Sequence, residues 1–380
     1  MSENQKCGRS YFHHRLDMCI GLMTAQKVDR WDLILKNILL FVDLGIDDAF
    51  TLIYLLKKRN VNLIGVVAGY GNISRNKSYR NVKYILELAG REDIPVISGS
   101  TKPLDGSEPE FYPEIHGEEG LGPFRPPVSS DVFQDVSNFS LMFDLIQEYA
   151  NDVTIVATGR FTALAMAWEL NPAIMSNVSK TVIMGGAFLV PGNVTENAEA
   201  NFHGDPIAAN VLAERVPNLT ILPLNATLDS YITPEQINQI DEAQKDEVGK
   251  LLKPLFEYYY VFYQTTNPQL PRTPIHDLVA AMVALDVPVV TTYEERIVRV
   301  SYHDPITYGL STADFRAVPT QCGEDASCSR IGIVLDRDVY VKELLSVYAL
   351  PVENREHEPK KGDTPHRDQE QMFRRKRSWI

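Results

Sequence analysis

Short apolar runs that end in turn residues alternate with helix-like stretches along most of this chain, and that rhythm admits few folds. "NILLFVD" (37–43) is an apolar run closed by a turn signal and predicts a buried strand. "DDAFTLIYLLKKRN" (47–60) has acids in its first turn and Lys and Arg in its last, the charge order that suits a helix dipole. "VNLIGVVAG" (61–69) predicts the next strand, "KSYRNVKYILELAG" (77–90) a helix closed by Gly90, and "IPVISG" (94–99) a short strand. The pattern returns with strands at 152–159, 180–186 and 219–224 and helices at 161–170 and 205–216. Such alternation predicts an α/β domain with a mainly parallel, Rossmann-like open sheet and helices on both faces. Further on, "PEQINQI", "KDEVGKLLKPLFEYYYVFYQTT" and "IHDLVAAMVAL" (275–285) predict helices, "RIVRVSY" and "RIGIVLD" late strands, and "VYVKELLSVYAL" the last helix.

This organisation places one domain at 36–350, after an appended segment (1–35) without a clear period and before a charged, apolar-poor tail (351–380). The tail's basic end, "FRRKRSWI", reads as a solvated face rather than a localisation signal. A net charge of -13 argues against nucleic-acid binding, which needs clustered Lys and Arg. No run of about 18 apolar residues is present to span a membrane, and "MCIGLM" is too short for a signal-peptide core. Cys322 and Cys328 are close enough in sequence to pair, but a reduced, cytoplasmic protein is the simpler expectation from four cysteines without a C-x-x-C.

"FVDLGIDDAF" (41–50) crowds Asp43, Asp47 and Asp48 around Gly45. In an open parallel sheet, ligands bind at the carboxyl ends of the strands, and Asp43 ends the first one. One Asp here would pass as a helix N-cap. Three acids on one edge would raise one another's pKa unless a cation compensates. The donors are all oxygens, which favours Ca²⁺ or Mg²⁺ over Zn²⁺, and Ca²⁺ tolerates a ligand set assembled from several loops. Asp277, beside His276 at the start of an apolar helix, supplies a fourth acid. The competing pair His303-Asp304 precedes a proline and reads as a turn.

With these residues in view, the chain resembles the nucleoside hydrolases, the inosine-uridine preferring N-ribohydrolase family, from about residue 37 to 350. The resemblance rests on "VDLGIDDA" (42–49), "VAGYGNIS" (67–74), "IHGEEGLG" (115–122), "ATGRFTALA" (157–165), "VIMGGAFLVPGNVTENAEANFHGDPIAA" (182–209) and "TPIHDLVAA" (273–281), in family order. It implies that Asp43, Asp48, Asp277 and the Thr158 carbonyl hold one Ca²⁺, which meets the attacking water and the ribose 2′- and 3′-hydroxyls. It implies that Asp47 and Asn201 accept hydrogen bonds from the ribose, and that Asn193 and Glu199 hold its 5′ end. Asn72 and Met184 would line the ribose pocket, and His116 and His276 would face the base. A ribonucleoside substrate, salvage as the usual role and a homodimer or homotetramer are further implications.

The residue types suit that chemistry. Cleaving an N-glycosidic bond builds positive charge on the ribose, which carboxylates and amide oxygens stabilise. Ca²⁺ acidifies water less than Zn²⁺ does, so a separate base is useful, and Asp43 is the candidate. The leaving base needs a proton, for which an ordinary histidine, here His276, is a natural donor. Three departures stand out. Phe41 occupies the place of an expected acid and Leu44 that of an expected proline. Leu228 and Asp229 in "NATLDSYIT" replace an expected His-Gln, which bears on base preference. The run "EYYYVFYQTT" offers aromatic contacts to a base, though helix packing accounts for most of its tyrosines. An alternative is a family member that binds nucleoside or ribose without turnover, with Phe41 as its chief support. A metal-dependent phosphatase lacks the phosphate-binding Lys and Gly-rich loop it needs.

Overall fold

The structure, a computed structural model, describes residues 35–127, 138–266, 268, 272–323 and 327–353. The expectations for the N-terminal segment and for the tail beyond residue 353 lie outside these residues.

Strand β1 (Lys36–Val42) shows why the chain folds as a layered α/β domain. Ile38, Leu40 and Val42 belong to one apolar cluster, and Leu39 and Phe41 to another. Side chains alternate across a strand, so a continuous apolar run is buried on both faces of a sheet. The other strands are β2 (Val61–Ala68), β3 (Val96–Ser98), β4 (Val153–Ala157), β5 (Val178–Met184), β6 (Leu219–Leu222), β7 (Tyr231–Ile232), β8 (Thr273–Pro274), β9 (Val290–Arg296), β10 (Val298–Val300), β11 (Ser311–Ala313) and β12 (Ser329–Leu335). The main sheet has eight strands in the order β3-β2-β1-β4-β5-β6-β12-β9. All neighbours pair parallel except the edge pair of β12 and β9. β7 pairs with β8 and β10 with β11 in two small ribbons.

The helices that matter below are α1 (Ile46–Lys57), α2 (Arg75–Leu88), α3 (Pro113–His116), α4 (Leu141–Glu148), α5 (Thr162–Leu170), α6 (Ala200–Gly204), α7 (Pro206–Arg215), α8 (Leu224–Thr227), α9 (Pro234–Glu242), α10 (Leu252–Thr266), α11 (His276–Ala284) and α12 (Arg337–Tyr348). α1, α2, α10, α11 and α12 pack on one face of the sheet, and α4, α5 and α7 on the other. Every residue of α11 is buried, which is why its sequence is apolar all round.

The predicted parallel α/β architecture is borne out. The expected strand "RIVRVSY" shrinks to Val298–Val300 and joins a ribbon rather than the main sheet. β9, which precedes it, was not legible as a strand. It lies at the sheet edge with most side chains exposed or half-buried, so it carries no apolar run. The reduced state expected for the cysteines is also corrected. Cys322 and Cys328 form a disulfide, their Cα atoms 5.7 Å apart, within the range a short loop can close. Among the described residues no helix is long and apolar enough to cross a membrane.

Candidate active site

The sheet order changes direction between β1 and β4, since β2 and β3 lie to one side and β5 and β6 to the other. A crevice at such a switch point is the usual ligand site of an open parallel sheet. Phe41 pairs with Ala157, and the Phe41 carbonyl accepts from the Thr158 N–H at 2.9 Å. That register brings Asp43 and Thr158 out together at the switch. Phe41 itself turns its side chain into the apolar layer with Phe161 and Ile155. The missing acid is thus replaced by core packing, and only its main chain serves the site.

Four buried carboxylates converge here. Asp43 accepts from the Asn72 N–H at 2.8 Å on Oδ2 and from Asn72 Nδ2 at 3.0 Å on Oδ1. Asp48 accepts from the Thr158 hydroxyl at 2.7 Å and from the Gly45 N–H at 3.0 Å, which helps to cap α1. Asp47 and Asp48 occupy the first turn of α1, and Asp277 the first turn of α11, so two positive helix ends face the cluster. Ligand atoms of Asp47, Asp48 and Asp277 lie within 4.8 Å of one another. Asp47 Oδ1 is buried without a hydrogen-bond partner. Gly71 permits the close fit, since a Cβ there would lie 1.8 Å from Asp43 Oδ2. Of the expected metal ligands, Asp48 and Asp277 face one another. Asp43 adjoins them but points its oxygens toward Asn72, while the Thr158 carbonyl accepts from Asn201 Nδ2 at 2.7 Å.

A cavity of about 430 Å³ opens above the cluster. Asn193, Glu199, Asn201 and Met184 line one end. Glu199 caps α6, accepting from the Asn201 and Phe202 N–H groups, and also from the Gly186 N–H. Asn193 Oδ1 accepts from the Ala200 N–H at 3.0 Å. Asn201 Nδ2 also donates to the Met184 carbonyl at 3.0 Å. At the other end stand His116 and His276, with Tyr259, Phe262 and Tyr263 from α10. Tyr259 and Tyr263 are four apart and share a helix face. Tyr258 and Tyr260 do not line the cavity, so the tyrosine run divides between site and packing. Leu228 and Asp229 stay out of it as well, but Thr227 just before them reaches His276 Nδ1 at 2.9 Å.

The electrostatics describe a site short of positive charge. Burial raises Asp43, Asp48 and Asp277 above the ordinary carboxylate range. The charges of neighbouring acids push Asp48 and Asp277 further in that direction. Asp47 is pushed up to about 7, by burial first and then by the charge of Asp43. Both histidines move the other way. Burial brings His276 down to about 4, and burial with the Arg160 charge brings His116 down to about 3. Neither holds an imidazolium at neutral pH, so the argument from an ordinary histidine pKa does not transfer to His276. His116 Nδ1 accepts from the Ile46 N–H at 3.1 Å, which leaves its proton on Nε2 as a donor. His276 Nε2 lies 3.4 Å from the Tyr263 hydroxyl.

Sequence reasoning missed Arg160 and Tyr112, which line the same cavity. Arg160 stands inside the quoted "ATGRFTALA", directly after the turn at the end of β4. A cation at that place in an otherwise apolar stretch was the available signal.

The family model for inosine-uridine preferring nucleoside hydrolase matches residues 38–342. The chain is 31% identical over 265 residues to uridine nucleosidase 1 of Arabidopsis thaliana, covering 70% of this chain and 78% of that one. It is 30% identical over 284 residues to the inosine-uridine preferring nucleoside hydrolase of Crithidia fasciculata, covering 74% and 88%. Among solved structures, a plant nucleoside hydrolase superposes with a TM-score of 0.75 at 29% identity, covering 83% of this chain and 99% of that one. With an acid cluster at the switch point, a cavity above it and this agreement over most of its length, the chain belongs to the inosine-uridine preferring nucleoside hydrolase family.

Proposed function

We propose that the protein is a Ca²⁺-dependent hydrolase that cleaves the N-glycosidic bond of ribonucleosides to ribose and free base. One observation carries this reading: Asp47 Oδ1 is buried, unpartnered and grouped with Asp48 and Asp277 beneath a cavity. A buried polar atom without a partner costs about 1–3 kcal/mol, and more if charged, which a bound cation or sugar hydroxyl relieves. The donors fit a hard cation. They are carboxylate and carbonyl oxygens from separate loops, with no thiolate and no imidazole among them. Asp43, Asp48, Asp277 and the Thr158 carbonyl would hold Ca²⁺, and Asp47, whose Oδ1 has no partner, would be free to meet a sugar hydroxyl. When bound, Ca²⁺ supplies Lewis-acid polarisation and a grip on vicinal hydroxyls.

The chain's own groups do the rest. Asp43, made more basic by burial, would take the proton of the attacking water. Its charge and those of Asp47 and Glu199 favour a ribose that turns cationic. Asn72 fixes Asp43 with two hydrogen bonds. Neutral His116 and His276 donate hydrogen bonds toward the departing base rather than discharge an imidazolium. Tyr263 lies within reach to relay a proton to His276. Tyr259 and Phe262 offer faces for the base. Uridine and inosine are the first substrates to try, because relatives so named align over most of the chain.

The test uses purified full-length protein with inosine, uridine, adenosine and cytidine, assayed for free ribose with and without a chelator. Release that stops on chelation and returns with Ca²⁺ is expected. Release that survives thorough metal removal refutes the metal's part, and no release from any nucleoside refutes the enzyme.

A further inference from the structure

We propose that Arg160 is the resident counter-ion of the acid cluster, holding Asp43 in place without metal and competing with Ca²⁺ for it. The inference rests on the Ca²⁺ reading above.

Arg160 is buried, at 7% exposure, one residue past the turn that ends β4. Its Nη1 lies 3.5 Å from Asp43 Oδ2 and donates to Asn201 Oδ1. Its guanidinium carbon sits 5.7 Å from the centre of the Tyr112 ring. Gly204 leaves room behind it, since a Cβ there would lie 2.1 Å from Arg160 Nε. A guanidinium in such a place must be matched by an anion, and Asp43 is the carboxylate paired with it. The pairing also decides which way the Asn201 amide points. With Oδ1 taken by Arg160, Nδ2 must donate, and it does so to the carbonyls of Thr158 and Met184. One cation thereby offsets the charge of Asp43 directly and reaches the Thr158 carbonyl through Asn201, and both belong to the expected metal set.

Two consequences follow from charge alone. A metal-free cluster that held Asp43, Asp47, Asp48 and Asp277 with no cation at all would repel itself. Arg160 offsets part of that repulsion. The same positive charge opposes an incoming divalent ion, and it lies 3.5 Å from an oxygen of Asp43, a carboxylate of the expected metal set. Shape is kept between metal-binding events, and affinity is lowered in exchange. Arg160 is in this sense a positioning residue, and its signature is a variant that binds metal more tightly. A merely structural role would weaken binding when lost.

The experiment is Ca²⁺ titration calorimetry on chelator-treated, full-length protein, with thermal unfolding measured in parallel with and without Ca²⁺. Arg160→Gln should bind Ca²⁺ roughly tenfold or more tightly than wild type, from the removal of one nearby buried charge. Without Ca²⁺ it should unfold at lower temperature, and the rise on adding Ca²⁺ should exceed that of wild type. Arg160→Lys keeps the charge, loses the planar fork, and should stay within about threefold of wild-type affinity. Arg160→Met, which retains the bulk of the stem, is run beside Arg160→Gln in case the amide packs badly. Equal or weaker Ca²⁺ binding by the neutral variants overturns the proposal. So does failure of both to fold in excess Ca²⁺, because the guanidinium would then be needed with the metal present. Wild type that binds no Ca²⁺ refutes the functional reading instead, so the two failures are told apart.

Discussion

Thr158→Val removes one hydroxyl from the floor of the site and leaves shape, strand pairing and the residue-158 carbonyl in place. The hydroxyl is 2.7 Å from Asp48 Oδ1 and 3.1 Å from the Phe41 carbonyl. It has a single proton, and the shorter contact to a carboxylate is the stronger claim on it. Phe41 keeps the residue-158 N–H in the variant, so the loss falls on Asp48. Asp48 is fully buried and Thr158 is 2% exposed, so water has little access to replace the donor. Leaving a buried acceptor without its donor costs about 1–3 kcal/mol, and that is the expected fall in unfolding free energy without metal. Added Ca²⁺ gives Asp48 a counter-charge, so the gap between variant and wild type should narrow. Urea unfolding with and without Ca²⁺ reads both quantities, and Thr158→Ser, which restores the hydroxyl, should recover most of the loss. A metal-free difference below about 0.5 kcal/mol, or a serine no better than valine, would refute this account of how Asp48 is held.

Two further outcomes are expected. Phe41→Asp should not restore a useful acid to the site; it should lose the roughly 3–5 kcal/mol of a buried aromatic and add an unpaired charge, whereas Phe41→Leu should leave Ca²⁺ affinity near wild type in the same calorimetry. Away from the site, burial pushes Asp246 upward but hydrogen bonds from Lys57, Val352 and Gly249 outweigh it and hold the carboxyl below its usual value. A depressed carboxylate stabilises the fold above its unfolded pKa and loses that contribution as pH falls through its folded value. The stability gap between wild type and Asp246→Asn should therefore be widest near neutrality and shrink below about pH 4 in urea titrations.

The parts of the fold and site that were readable in sequence share a physical cause. β1 is buried on both faces, so its burial is written as an unbroken apolar run. α11 is buried all round and is written the same way. Asp43, Asp47 and Asp48 were conspicuous because like charges rarely crowd the junction of a strand and a helix. β9 was silent because a solvent-facing edge strand needs no apolar run. The lowered pKa of His276 was silent too, since it comes from burial, which only the assembled fold provides.

Phe41 and Arg160 mark where sequence reading stopped, and they bear on the same carboxylate. Phe41 stands where the family resemblance places an acid beside the metal ligands. In the fold the Phe41 side chain faces the core and takes no part in the charge balance of the site. The charge that does enter comes from Arg160, more than a hundred positions away in sequence and brought alongside only because β4 pairs with β1. Neither residue has meaning for the site until that pairing is known. A lone Arg after a Gly looks like a turn residue, and a Phe at the end of a strand looks like a lost acid. Once the strands are paired, the cluster has one acid fewer than the family pattern predicts and one buried cation against it. On the proposed Ca²⁺ reading, the absent acid and the buried cation would each lower the pull on a divalent ion. On that reading the remaining acids would supply more of the binding, and Asp48, held by Thr158 and Gly45, would be the ligand whose support matters most.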